Sequence, residues 1–206
     1  MPEQGIKRSD VLLMFERPDK YNMLSKKDRQ RFERMTLRHL PEAYNLALWL
    51  VRNPAEADDI VQTAYMRAFE AFGNFTGNNT AAWIMTIVRN TAFNLLNKQK
   101  RNSNLLSFDE AIHINEQAYK NVYNLTPEEM SHLASSNMQV ADLIDRLPVE
   151  FREVLFLRDI EGYSYKEIAE ITQSPKGTVM SRLSRARKHL QKQMLEQQRK
   201  EQSRGV

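Results

Sequence analysis

Tyr163-Ser164-Tyr165-Lys166-Glu167-Ile168-Ala169-Glu170-Ile171-Thr172-Gln173-Ser174-Pro175-Lys176-Gly177-Thr178-Val179 reads as a short capped helix, a tight turn and the start of a second helix. Ser164 and Glu167 are three residues apart, the spacing of a capping box, in which each side chain accepts a backbone N–H of the same first turn. The first helix therefore begins near Tyr165. Ile168, Ala169 and Ile171 form its apolar face, and the small Ala169 lets a second helix approach. Ser174 is placed to cap the next helix, with Pro175 as its first residue, where the missing N–H costs nothing. Gln173 falls at the turn position where glycine most easily takes a positive φ, so a strained or modified turn is expected.

The second helix continues through Met180 to Lys192. Val179, Leu183, Ala186 and Leu190 recur at intervals of four, three and four, which is one buried stripe at helical period. Left outside are Lys176, Ser181, Arg182, Ser184, Arg185, Lys188 and Lys192, with Arg187 and His189 on the flanks. No acidic residue occurs between Pro175 and Leu195. A helix–turn–helix with a one-signed outer face is suited to laying its second helix in a DNA major groove.

The rest of the 206-residue chain is predicted to be helical too: it has only 6 Gly and 7 Pro, and strand-like alternation is scarce. A net charge of +4 hides an asymmetry, since the stretch from Pro175 onward is basic while other segments are acidic. Partners of both signs are implied. With no cysteine, disulfides and thiolate metal sites are excluded. His39, His113, His132 and His189 lack metal-ligand spacing, so no cofactor is expected. There is no glycine-rich phosphate loop and no catalytic triad, so no enzymatic activity is expected. No segment has the apolar length of a membrane span or the layout of a signal peptide. A cytoplasmic protein without membrane insertion is the expectation.

Residues 1–36 read as an N-terminal extension, with Lys26 to Arg34 a solvated basic segment. A firmly helical domain occupies 37–101. Its first helix offers Leu37, Leu40, Tyr44, Ala47, Leu48 and Val51 as an inward stripe. After Asn53-Pro54, a second helix, Ala55 to Phe72, turns Ile60, Val61, Ala64, Ala68 and Phe72 inward. A polar loop, Asn74 to Thr80, leads to a third, Ala81 to Lys100, with Trp83, Ile84, Ile87, Val88, Thr91 and Leu95 available for packing. Residues 102–137 are rich in Asn, Ser and Glu and read as a flexible linker. Helices at Met138 to Leu147 and Val149 to Ile160 join the helix–turn–helix in a second domain, 138–195, followed by a basic tail, 196–206. The fold class expected is all-α: a three-helix domain and a four-helix domain joined by a flexible linker.

These motifs, in this order, resemble a sigma factor of bacterial RNA polymerase, of the extracytoplasmic-function class of the sigma-70 family. Glu56-Ala57-Asp58-Asp59-Ile60-Val61-Gln62-Thr63-Ala64-Tyr65-Met66-Arg67-Ala68-Phe69 looks like the family's polymerase-docking helix. Ala82-Trp83-Ile84 and Ile87-Val88-Arg89-Asn90 look like its promoter −10 helix. Leu147-Pro148 with Phe151-Arg152 resembles the lead into its second domain, and Ser164 to Ala169 with Gly177 to Arg182 its −35 reader. The chain departs from the pattern at Thr63, where an acidic residue is common, and at Met180, where a basic one is.

Asp58, Asp59 and Gln62 share a polar face suited to basic residues of a partner. The resemblance implies that this face, with Met66, docks on the clamp coiled coil of the polymerase's largest subunit, and that the second domain meets the flap of the second-largest. Asn90 and Asn94, one turn apart, offer amides to base edges, and Arg89, Lys98, Lys100 and Arg101 offer charge to phosphates. The resemblance makes Phe75, Asn78 and the rest of the loop a pocket for a flipped-out base, with Trp83 nearby serving base contact or core packing. It carries −35 base contacts over to Ser181, Ser184 and Arg185, and backbone contacts to Lys176, Thr178, Arg182 and Lys188. Promoter DNA, core polymerase and an anti-sigma factor are the partners it implies. A dimeric helix–turn–helix regulator and a basic adaptor for acidic partners are alternatives. The regulator fits poorly with a first domain that offers an acidic face, an Asn-bearing basic helix and a polar loop, and transcription with core polymerase distinguishes all three.

Overall fold

The computed structural model describes residues 25–104, 143–144 and 146–204, and the chain divides into two compact units. Every regular element among the described residues is helical, so the all-α expectation holds. The segments 1–24 and 105–142, which include the first part of the extension, most of the linker and the start of the Met138 helix, lie outside the described residues.

In the first unit, α1 (Lys26–Thr36) starts at Ser25, whose Oγ accepts the Asp28 N–H at 3.1 Å. A 3₁₀ turn, Leu37–His39, leads into α2 (Leu40–Val51). Arg52 ends α2 at φ 60, and its N–H returns to the Leu48 carbonyl at 2.8 Å, the αL stop that usually takes glycine. Asn53 then caps α3 (Pro54–Ala71): its Oδ1 accepts from Ala55 and Glu56 at 3.0 and 3.3 Å, and Pro54 opens the helix where no N–H is needed. After a 3₁₀ turn at Phe72–Asn74, α4 (Thr80–Asn104) begins with the Asn79 Oδ1 accepting the Ala82 N–H at 3.0 Å. α2, α3 and α4 pack on one another, and α1 packs against α4.

Two expectations are corrected. Lys26 to Arg34 is not merely a solvated segment: Phe32 is fully buried and meets Tyr65, Phe69 and Phe72 edge-on, at centroid distances of 6.5, 5.3 and 5.2 Å. The Tyr65 hydroxyl donates to the Thr36 carbonyl at 3.0 Å, so among the described residues α1 joins the three helices expected within 37–101. The inward face of α2 is Leu40, Ala43, Leu46, Ala47 and Leu50, while Tyr44, Leu48 and Val51 are half-buried. The 3₁₀ turn explains the shift: three residues advancing by about 120° rather than 100° slip the helical phase by about 60°. On α3 the expected Ile60, Val61, Ala64, Ala68 and Phe72 are all buried, joined by Ala57, Tyr65 and Phe69. On α4, Ile84, Val88 and Thr91 are buried with Met85 and Ala92, whereas Trp83, Ile87 and Leu95 are half-buried.

In the second unit, α5 (Val149–Leu155) runs into a single π-helical stretch, Phe156–Ile160, closed by the Glu161 N–H on the Phe156 carbonyl at 3.0 Å. Gly162, at φ 74, turns the chain toward α6 (Tyr165–Thr172), and α7 spans Lys176–Arg204. α7 packs on α5. Arg187 of α7 forms a two-pronged ion pair with Asp159, whose side chain is only 2% exposed; one prong, Nε to Oδ2, is 3.2 Å. A buried carboxylate needs such a partner, and the wider π turn carries Asp159 where Val149 to Ile160 is expected to be uninterrupted α-helix.

Candidate nucleic-acid and polymerase interfaces

The capping box forms as its spacing predicts. The Ser164 N–H reaches Glu167 Oε2 at 2.9 Å and the Glu167 N–H reaches Ser164 Oγ at 3.3 Å. α6 then ends in a Schellman motif: the Gln173 N–H bonds the Glu170 carbonyl at 3.3 Å and the Ser174 N–H the Ala169 carbonyl at 3.1 Å. Gln173 sits at φ 50, the left-handed conformation expected of that position. α7 begins at Lys176, one residue later than expected, with the Val179 N–H on the Pro175 carbonyl at 3.1 Å.

Val179, Leu183, Ala186 and Leu190 are all buried, at 2% exposure or less. That stripe fixes the rotation of α7, so Lys176, Ser181, Ser184 and Arg185 are exposed and Thr178, Arg182 and Lys188 are half-buried at the margin. Arg182 Nη1 donates to Ser174 Oγ at 3.4 Å, tying the turn to the helix. Ser181 Oγ donates to the Thr178 carbonyl at 2.9 Å. Met180 is 49% exposed beside this face. Of the two flanking positions, Arg187 serves Asp159, and His189 is half-buried with its Nδ1 shielded and unpartnered among the described residues. Burial first, and then the Lys192 ammonium, hold the imidazole below its ordinary pKa, with Glu196 opposing.

In the first unit, Trp83, Asn90, Asn94 and Lys98 follow one another along α4 at near-helical spacing, running from half-buried to exposed. The Phe75 ring stacks on Trp83 at 4.4 Å between centroids and on Phe72 at 6.1 Å, and Phe72 and Trp83 are themselves 6.2 Å apart, a triangular cluster of three aromatic rings at the start of the loop. Trp83 therefore packs and borders the loop at once. Asn78 is exposed at the loop's crest. Gly77, which sequence reasoning passed over, lies so close that a Cβ there would stand 3.0 Å from Phe75 Cε2. A side chain there would have to push the ring aside by a few tenths of an ångström. Arg89 is engaged at home, its guanidinium 4.2 Å from the Phe93 centroid and bonded through Nη1 to Asn90 Oδ1 at 3.1 Å. It orients the Asn90 amide as much as it offers charge.

On α3, Asp59 is exposed and Asp58, Gln62 and Met66 are half-buried, with Thr63 exposed among them. Asp58 Oδ1 is shielded from solvent and has no hydrogen-bond partner among the described residues. Its charge faces α2, where it adds to burial in raising the Tyr44 pKa. The described residues contain no cluster of His, Asp and Glu able to hold a metal, and none of their helices is long and apolar enough to cross a membrane.

Residues 35–102 match the sigma-70 region 2 family and residues 137–190 the sigma-70 region 4 family. The chain is 32% identical over 169 residues to the RNA polymerase sigma-H factor of Pseudomonas aeruginosa, covering 80% of this chain and 86% of that one. This chain is a sigma factor of the sigma-70 family. Its extracytoplasmic-function class is shown by relatives such as the ECF RNA polymerase sigma-E factor of Escherichia coli K12, 31% identical over 80% of this chain and 86% of that one. Among solved structures, the sigma factor RpoE in complex with the anti-sigma factor NepR from Bartonella quintana is similar at a TM-score of 0.60 and 28% identity, covering 79% of this chain and 96% of that one. CnrH in complex with the cytosolic domain of CnrY shares the fold, at 0.55 and 23% identity over 81% of this chain and 88% of that one. As a sigma factor the chain directs promoter-specific transcription initiation, with RNA polymerase and promoter DNA as its partners.

Proposed function

We propose a division of labour in which α3 docks on core polymerase, the loop and α4 read the −10 element, and α7 reads the −35 element. The observation that carries it is the outer face of α7 from Lys176 to Leu195, free of acidic residues and held in a fixed rotation by the Val179-Leu183-Ala186-Leu190 stripe. Ser181, Ser184 and Arg185 stand where base edges pass. Lys176, Thr178, Arg182 and Lys188 lie nearer the phosphates, and the exposed Met180 offers an apolar contact to a thymine methyl.

On α4, Arg89 holds the carbonyl oxygen of Asn90, so the Asn90 NH₂ is the donor directed to a base acceptor, with Asn94 one turn on and Lys98 for the backbone. The Phe75–Trp83 stack supplies a π surface beside the loop, where Asn78 and backbone N–H groups receive a base that has left the duplex. Capture of that base stabilises strand opening without nucleotide hydrolysis by this chain.

On α3, the half-buried Asp58 and the exposed Asp59 put negative charge on the helix's polar face, suited to basic residues of a partner surface. With Gln62 and Met66 they form the docking face for the clamp coiled coil of the polymerase's largest subunit; the second unit meets the flap of the second-largest. An anti-sigma factor covering these faces gives a means of control; the similar sigma factor RpoE from Bartonella quintana is solved in complex with the anti-sigma factor NepR.

The experiment is transcription from a cognate promoter with core polymerase and this chain. Arg185→Ala is expected to cost about 1–3 kcal/mol of promoter binding and to relax one −35 position. Unchanged selectivity would remove Arg185 from the base-reading set, and a chain that directs no defined start site would sink the whole assignment.

A further inference from the structure

α1 carries a surface that the two reading helices do not account for. Lys27, Arg31, Arg34 and Arg38 fall at intervals of four, three and four, and all four are exposed, so they form one basic stripe along α1 and the 3₁₀ turn that follows. Over about 16 Å, at 1.5 Å per residue, no acidic side chain forms an ion pair with any of them among the described residues. Like charges one turn apart repel, so the free protein holds this arrangement at a cost. The opposite face of α1 is anchored by Phe32 in its aromatic nest and by the Tyr65 hydroxyl on the Thr36 carbonyl. The stripe is thereby presented on a fixed helix.

Its position limits what it meets. The Arg31 guanidinium lies 5.4 Å from the centroid of Phe72, and Phe72 stacks on Phe75, which stacks on Trp83. Phe72 also lies 6.2 Å from Trp83, so one cluster of three rings borders the candidate base pocket through Phe75 and Trp83 and the middle of the basic stripe through Phe72. We propose that α1 is a third DNA contact, with Lys27, Arg31, Arg34 and Arg38 holding the phosphates of the promoter strand as it leaves the Phe75–Thr80 loop. The proposal rests on the −10 reading of that loop. These contacts position the strand and carry no base preference.

The test uses the full chain with core polymerase on a forked promoter whose non-template strand is single-stranded, measuring affinity against salt concentration. Each single-strand phosphate contact contributes about 0.7 to the slope of log K against log salt. The triple variant Lys27→Ala, Arg31→Ala, Arg34→Ala is therefore expected to flatten the slope by about 2, with base preference and core affinity unchanged. The double variant Lys27→Ala, Arg34→Ala leaves Arg31 on Phe72 and should flatten it by about 1.4; Arg31→Lys, which keeps the charge, should leave it in place. A specific wild-type complex whose slope neither variant moves overturns the proposal alone, the stripe then being a solvated face. A loss of core affinity with an unchanged slope overturns it in favour of an acidic protein surface. A wild-type chain that forms no promoter-specific complex overturns the −10 reading and this proposal with it.

Discussion

Gln173 shows how far a single residue's chemistry can be followed. The capping box, the proline and the length of the turn locate the position that must turn left-handed, and the structure puts Gln173 there at φ 50 with both Schellman hydrogen bonds made. A non-glycine residue in that region costs about 1–2 kcal/mol, and the extra backbone freedom of an unfolded glycine offsets about 0.5–1 kcal/mol of any relief. Gln173→Gly is therefore expected to stabilise the protein by about 0.5 kcal/mol in urea denaturation, and a destabilised variant would mean that the Gln173 side chain contributes beyond the turn. His189 gives the pH dependence. Its folded-state pKa is lowered, chiefly by burial, so on acidification the unfolded chain takes up the proton first. Its contribution is fully present above the ordinary value of about 6.5 and is lost as pH falls through the folded value. Denaturation midpoints should drop as pH is lowered below about 6.5, and His189→Gln should flatten that dependence; an equal slope in both proteins would exonerate the imidazole.

At the scale of elements, α1 and α7 make a contrast. The period of Val179, Leu183, Ala186 and Leu190 identifies the buried face of α7 outright, because four strongly apolar residues stand against an almost entirely polar remainder. α1 has only Phe32 and Met35 as apolar residues within Lys26–Thr36, too few for a period, so its packing is invisible without the aromatic nest that receives Phe32. Because that ring is fully buried among Tyr65, Phe69 and Phe72, Phe32→Ala is expected to cost the first unit about 3–5 kcal/mol. Thermal unfolding of the variant measures it, and a change below about 1 kcal/mol would show that α1 contributes little to the unit. The phase of α2 was hidden for another reason. A three-residue 3₁₀ turn has no sequence mark of its own here, yet it rotates everything after it.

Over the whole molecule, the proposed reading surfaces sit in separate units with separate cores. Energies of sites that share no partner add to within about 0.3–0.5 kcal/mol. Asn90→Ala combined with Arg185→Ala should therefore lower promoter affinity by the sum of the single effects in a polymerase binding assay. A clear shortfall would indicate that one surface engages only after the other and that the two are not independent readers. Sequence by itself determined the helical class, the capping box, the left-handed turn, the buried stripe of α7 and the family, because each depends on local spacing and on residues whose chemistry is unambiguous at short range. Tertiary structure alone decided that Phe32 belongs to the core, that Gly77 makes room for Phe75, that Arg187 answers Asp159 across 28 residues, that Arg89 holds Asn90, and that Asp58 keeps a shielded oxygen without a donor. Burial and partnership depend on which distant side chains arrive at the same place, and no period along the chain encodes that.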